Sequence, residues 1–221
     1  MGVAPEALLY FIADGLGSGE KDMTWYAGDV DRLTALNATL PEDEKIRVIS
    51  MSVGWMPDTA GAEAMDAAIA RARAAGIAVV CVNSRDSLLE PWMGMGRRRY
   101  GDYNNWVDLR PGAFWKELLY SGEYRGADGS LLLVPMDRRT AASPAGESEY
   151  AHFSEGGMSW VAPYVAGLYA LACQVKPEAT FEAFLAAARD TARPIYIWPE
   201  KGKEYPYGRV VDPAALLEAL A

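Results

Sequence analysis

Imidazole is scarce in this 221-residue chain: His152 is the one histidine, and only two cysteines, Cys81 and Cys173, accompany it. Two cysteines build no disulfide framework. Both stand in apolar runs that read as a strand and a helix, the setting of buried free thiols. Positive charge is also short, with 21 Lys and Arg against 30 Asp and Glu, a formal net charge of -9 and a pI of about 4.7. Such a chain has no global electrostatic support for binding phosphate backbones, so nucleic acid is not an expected partner. The short Arg97-Arg98-Arg99 cluster does not reverse that. No run reaches the ~20 apolar residues of a membrane span, and the N-terminus lacks the charged-then-apolar pattern of a secretion signal. The expectation is a soluble chain with no membrane partner, no cofactor and no metal site.

What is present is apolar bulk. Hydrophobic residues make up 51% of the sequence, a packed globular composition, and the length fits one domain, 1–221, able to bury roughly 70% of its unfolded surface. Leu8 to Ala13, Ile46 to Ser52, Ile77 to Val82 and Leu131 to Pro135 are short apolar runs that read as buried strands. Between them, Thr24 to Leu40 and Ala60 to Ala75 read as helices, the second ended by Gly76 as a C-cap glycine. Strand, helix, strand with short connections is the βαβ unit of a parallel sheet. The predicted fold class is therefore α/β, a largely parallel, doubly wound sheet with helices on both faces. Ser84 to Gly129 is irregular and rich in Trp, Tyr, Arg and Gly, and reads as a surface excursion with one short helix near Phe114 to Tyr120. Its stretch from Trp92 to Trp115 is a candidate for shaping specificity, and a purely structural role fits equally. Ser159 to Val175 and Phe181 to Arg193 read as helices. A terminal helix, Pro213 to Leu220, begins with Asp212 as N-cap and Pro213 at the first helical position.

The chemistry-bearing stretch is Gly157-Met158-Ser159-Trp160-Val161-Ala162-Pro163-Tyr164-Val165-Ala166-Gly167. A serine before an apolar helix is ordinarily an N-cap. Here glycine crowds the approach, letting backbone come close to the serine, and a proline occupies the first turns, where its missing N–H costs least. A nucleophilic serine gains from such a site, because helix N-terminal amides stabilise a developing oxyanion.

This segment resembles the nucleophile motif of the subtilisin-like serine peptidases, G-T-S-M-A-x-P-H-V-A-G. Gly157, Ser159, Pro163, Val165, Ala166 and Gly167 match it; Met158, Trp160, Val161 and Tyr164 depart. Further resemblances keep the same order along nearly the whole chain. Gly2 to Tyr10 is similar to the G-V-A-P-x-A-x-L-Y strand that follows the histidine helix of the family. Val48 to Gly54 is similar to its substrate strand, V-I-N-M-S-L-G. Gly76 to Asn83 is similar to the strand ending at its oxyanion asparagine, and Gly208 to Pro213 to its closing segment. The resemblance implies peptide-bond hydrolysis through Ser159, on peptide or protein substrates. It implies that Ser52, Val53 and Gly54 pair with substrate as an added strand. Asn83 carries two readings, oxyanion donor or turn cap, because counting to the family's A-A-G-N ending lands on Arg85.

Serine chemistry also needs a base held by an acid. The resemblance implies that the family's histidine helix would precede Gly2, so the expectation is an N-terminally truncated domain, inactive alone and prone to self-association through uncovered sheet. His152 does not match the family's histidine motif and reads as a loop histidine. Asp14 sits in a strand-Asp-x-Gly pattern, but the strand from Ile46 follows where a histidine motif would be needed, so it reads as a turn residue. Gly15-Leu16-Gly17-Ser18-Gly19 lacks both the dinucleotide and the P-loop spacing and reads as a flexible loop. Against the enzyme stands a second class of function, a non-catalytic module of this kind that binds peptide or a partner.

Overall fold

The computed structural model describes residues 2–13, 22–82, 92–96, 130–200 and 203–221. The β-branched and small residues of β1 (Val48–Met51) and β2 (Ala78–Cys81) form a parallel pair, Val48 opposite Ala78 and Met51 opposite Cys81. The helix between them, α2 (Ala62–Ala74), stops where Gly76 takes φ 80, a left-handed turn that glycine adopts without a Cβ clash. There Ile77 N–H reaches back to the Ala72 carbonyl at 2.9 Å, so the chain reverses straight into β2.

The pleat then sorts side chains between two cores. Val79 and Cys81 face α1 (Met23–Thr39) and α2, joining Met23, Val30, Ile49 and Met65. Ala78 and Val80 face the opposite way, onto α3 (Val161–Val175), α4 (Phe181–Thr191) and α5 (Pro213–Leu220). Alternation at a period of two puts both faces of one short strand into apolar contact, which is why these runs are continuously hydrophobic.

A second sheet orders β3 (Trp92–Met95), β4 (Leu132–Pro135), β8 (Lys203–Val210) and β7 (Arg193–Glu200) side by side. Its first two pairings are parallel, and β7–β8 is an antiparallel hairpin. Leu132 and Val134 point to the same core as Val80; Leu133 points away, to Met95, Ile195 and Val210. Helix α3 bridges the sheets, packing on β1 and β2 as well as β3 and β4. By length and composition Met158–Val175 is apolar enough to cross a membrane, yet Val161, Val165, Leu168 and Ala172 are spent on this core. Aromatic rings tie the start of α4 to β3 and to α3: Trp92 stacks on Phe184 at 5.7 Å and Tyr169 meets Phe181 edge-on at 5.2 Å. A separate antiparallel hairpin, β5 (Arg139–Ala142) and β6 (Tyr150–Phe153), precedes α3.

The α/β class with parallel strands and helices on both faces of β1–β2 stands. Two sequence expectations do not. Leu8 to Ala13 forms no strand; it is irregular chain with Leu9 84% and Phe11 79% exposed. An apolar run becomes a buried strand only beside a neighbour that takes its backbone bonds, and no described strand pairs with it. Within the supposed surface excursion, Trp92–Met95 is a buried strand instead. Its Trp-Met-Gly-Met sequence lacks β-branched residues, so propensity hid it, and burial against β4 and α4 imposes it. The helix expected near Phe114 to Tyr120 lies outside the described residues, as does the Arg97-Arg98-Arg99 cluster.

Candidate active site

Parallel strands deliver their C-terminal ends to one side of a sheet, and three of those ends meet the turn that opens α3. The β1 chain continues past Met51 through Ser52, Val53 and Gly54, with Val82 N–H donating to the Val53 carbonyl at 3.1 Å. Ser52 is exposed and Val53 and Gly54 are half-buried. The β4 chain continues into Met136, whose N–H donates to the Met95 carbonyl at 3.3 Å.

The turn itself is a short 3-10 helix, Met158–Trp160, entered through an extended Gly157. Ser159 lies in the middle of this turn and is exposed. The turn is fixed on several sides. Ser52 Oγ donates to the Ser159 carbonyl at 2.7 Å. Gly94 N–H, on β3, points at Met158 Sδ at 3.4 Å. Trp160 leans on Phe153 of β6 with ring centroids 5.1 Å apart. A Cβ at Gly156 would sit 1.7 Å from the Met136 carbonyl oxygen, so only glycine lets the approach loop press onto β4. Pro163 falls in the first turn of α3, where no helical amide is lost. The arrangement presents a serine hydroxyl to solvent at the positive end of a buried helix, next to the end of β1, the setting in which a nucleophile and a developing oxyanion are favoured.

Ser159 and Ser52 are thus brought into direct contact, with Val53 and Gly54 continuing the same strand end. Asn83, the candidate oxyanion donor, lies outside the described residues, as do Asp14 and the glycines from Gly15 to Gly19. His152 is exposed on β6, paired across the hairpin with Thr140, and its Nδ1 is 3.2 Å from Thr140 Oγ1. Among the described residues neither an imidazole nor a carboxylate hydrogen-bonds to the Ser159 hydroxyl, and no three metal-ligating side chains come together. The close approach that the glycines before Ser159 led one to expect occurs at Gly156. Sequence reasoning missed Met158 as a support and Arg139, whose guanidinium bonds to the Pro135 carbonyl and lies 4.6 Å over the Tyr164 ring; nothing in sequence pairs Arg139 with Tyr164.

No protein-family model matches the chain, and no curated protein matches it. Solved structures do. The prenylagaramide maturation protease PagA aligns with 95% of this chain and 71% of its own, at 16% identity and a TM-score of 0.54. The structure of the subtilase cytotoxin SubAB aligns with 95% of this chain and 67% of its own, at 14% identity and a TM-score of 0.52. The protease domain of PatA, solved as a serine-to-alanine mutant, aligns over 90% of this chain and 66% of its own, at 16% identity and a TM-score of 0.52. At these identities the likeness is one of fold, and each structure extends beyond the part this chain matches.

Proposed function

We propose that this chain, which has the fold of subtilisin-like proteases, carries the nucleophile and the peptide-binding strand of a serine endopeptidase, with Ser159 the attacking hydroxyl. The observation that carries the reading is the placement of an exposed Ser159 at the head of a core helix, bonded to the end of β1 at Ser52. A peptide would add along Ser52, Val53 and Gly54 through backbone hydrogen bonds, its scissile carbonyl facing the Ser159 hydroxyl. Attack by the Ser159 oxygen breaks the peptide C–N bond, the serine proton passing through the base to the departing amine. Water then hydrolyses the acyl ester, releasing the acid and restoring the Ser159 hydroxyl, with Asn83 the proposed side-chain donor to the oxyanion. Hydrolysis at working rates needs a base within hydrogen-bond reach of Ser159 and an acid to hold it. The one histidine, His152, lies on β6 beside Thr140 and does not match the family's histidine motif, so in this reading the base comes from outside the chain. Substrates are peptides or proteins.

The place of His152 on the exposed hairpin, with no described bond to Ser159, favours a second reading, a module that binds an extended peptide and does not cut it. Fluorophosphonate labelling separates the two. Added imidazole supplies a base in solution, so the first reading expects slow labelling that imidazole accelerates, mapped to Ser159 and abolished by Ser159→Ala. Casein stays undigested by the chain alone. A label on another serine, or none even with imidazole, hands the protein to the second reading.

A further inference from the structure

Ser159 lies ahead of α3, in the 3-10 turn that runs into the Trp160 N-cap. A carbonyl there is not part of the α-helical ladder, and Pro163, four residues on, has no N–H by which the ladder could extend back to it. The oxygen is filled from a distant part of the chain: Ser52 Oγ donates to it at 2.7 Å, the usual length for a hydroxyl donor. Of the described ties that join the Met158–Trp160 turn to other elements, this is the conventional polar bond, since Met158 Sδ is a weak acceptor and Trp160 is held by ring contact.

We propose that the Ser52 hydroxyl is a positioning group for Ser159, bonding the carbonyl of the turn and locking the nucleophile's backbone to the end of β1. Its consequence for chemistry rests on the reading of Ser159 as the nucleophile; the lock itself rests on the geometry alone. Because Ser52 also heads the strand along which a peptide would add, the same residue fixes the distance between the bound backbone and the attacking oxygen. Loss of the bond leaves the carbonyl to water and loosens the turn on its β1 side, and a displacement on the order of 1 Å is enough to slow attack.

Ser159-Trp160 is the one Ser–Trp pair in the chain, so carbonyl-¹³C serine with ¹⁵N tryptophan gives a single NMR correlation that reports the Ser159 carbonyl. Ser52→Ala is expected to move that carbon upfield and to slow imidazole-supported labelling of Ser159 about tenfold, the value of one ordinary hydrogen bond. Ser52→Thr, which keeps the hydroxyl, is expected to restore both. An unmoved carbon in Ser52→Ala, or a Ser52→Thr protein as slow and as shifted as Ser52→Ala, overturns the proposal. Should Ser52→Ala not fold, Ser52→Cys takes its place, its weaker donor giving a smaller shift in the same direction; no shift overturns the proposal. If no variant takes the label, the carbon shift still decides the lock, and the nucleophile reading falls separately.

Discussion

Tyr169, buried beneath the loop after α3, is a group through which alkaline pH lowers the stability of this fold. Its hydroxyl donates to the Ala179 carbonyl at 2.9 Å, an oxygen that Arg47 also reaches at 3.1 Å. Burial, then the neighbouring Cys173 thiol, push the phenol up to about 12 from its ordinary value near 10, with Arg47 opposing in part. Below pH 10 both folded and unfolded chains keep the proton, and the group leaves stability unchanged. Between pH 10 and 12 the unfolded phenol releases a proton that the folded one retains, so stability falls across that window. Cys173 acts in the same sense, burial raising its thiol above the usual range. The expected outcome is a urea midpoint that declines from pH 10 to 12 in the parent protein and declines less steeply in Tyr169→Phe. At pH 8 the same substitution costs only about 1 kcal/mol, since Arg47 still satisfies the Ala179 carbonyl. Parallel curves for the two proteins would remove Tyr169 from the account.

At the scale of elements, helix ends make the comparison sharpest. Asp212 caps α5 by accepting from Ala215 N–H at 3.2 Å, and its other oxygen takes Arg193 at 3.0 Å while the residue is almost fully buried. Thr180 caps α4 with one bond of the same length, to Ala183 N–H. Thr180→Ala should therefore cost about 1 kcal/mol, the ordinary value of a cap. Asp212→Ala should cost about 2–3 kcal/mol, since it also strips a charge partner from β7. Equal losses in thermal or urea unfolding would show that the Arg193 contact contributes nothing. The Asp212 cap, the Gly76 stop and the alternation of β2 were legible in sequence because each is a local rule: a side chain answering its own helix, a φ only glycine takes freely, a period of two. The Ser159 motif was legible as a resemblance for the same reason, being contiguous. Trp92–Met95 was not, because what makes it a strand is Leu132 and Phe184, far along the chain. The Ser52–Ser159 bond joins residues 107 apart, and no local rule pairs them.

For the molecule as a whole, the apolar residues left in water carry an expectation of self-association. Leu8, Leu9 and Phe11 are exposed, and an open groove of about 390 Å³ runs between Leu9–Ile12 and Arg32, Leu33 and Leu36 of α1. Covering even a few such side chains is worth about 1.5–3 kcal/mol each, which favours copies of the chain meeting through this face. The formal charge of -9 opposes that approach. The two terms respond to salt in opposite directions: charge repulsion is screened beyond about 10 Å at 0.1 M, whereas apolar burial is not weakened. Self-association that strengthens from about 20 mM to about 300 mM salt is therefore expected in sedimentation at micromolar concentration. Leu9→Lys combined with Phe11→Lys should return the protein to a monomer, even though the substitutions lower the net negative charge and so reduce repulsion. That opposition makes the double variant decisive: a monomer identifies the apolar face as the contact, and an undiminished or stronger association places the contact elsewhere.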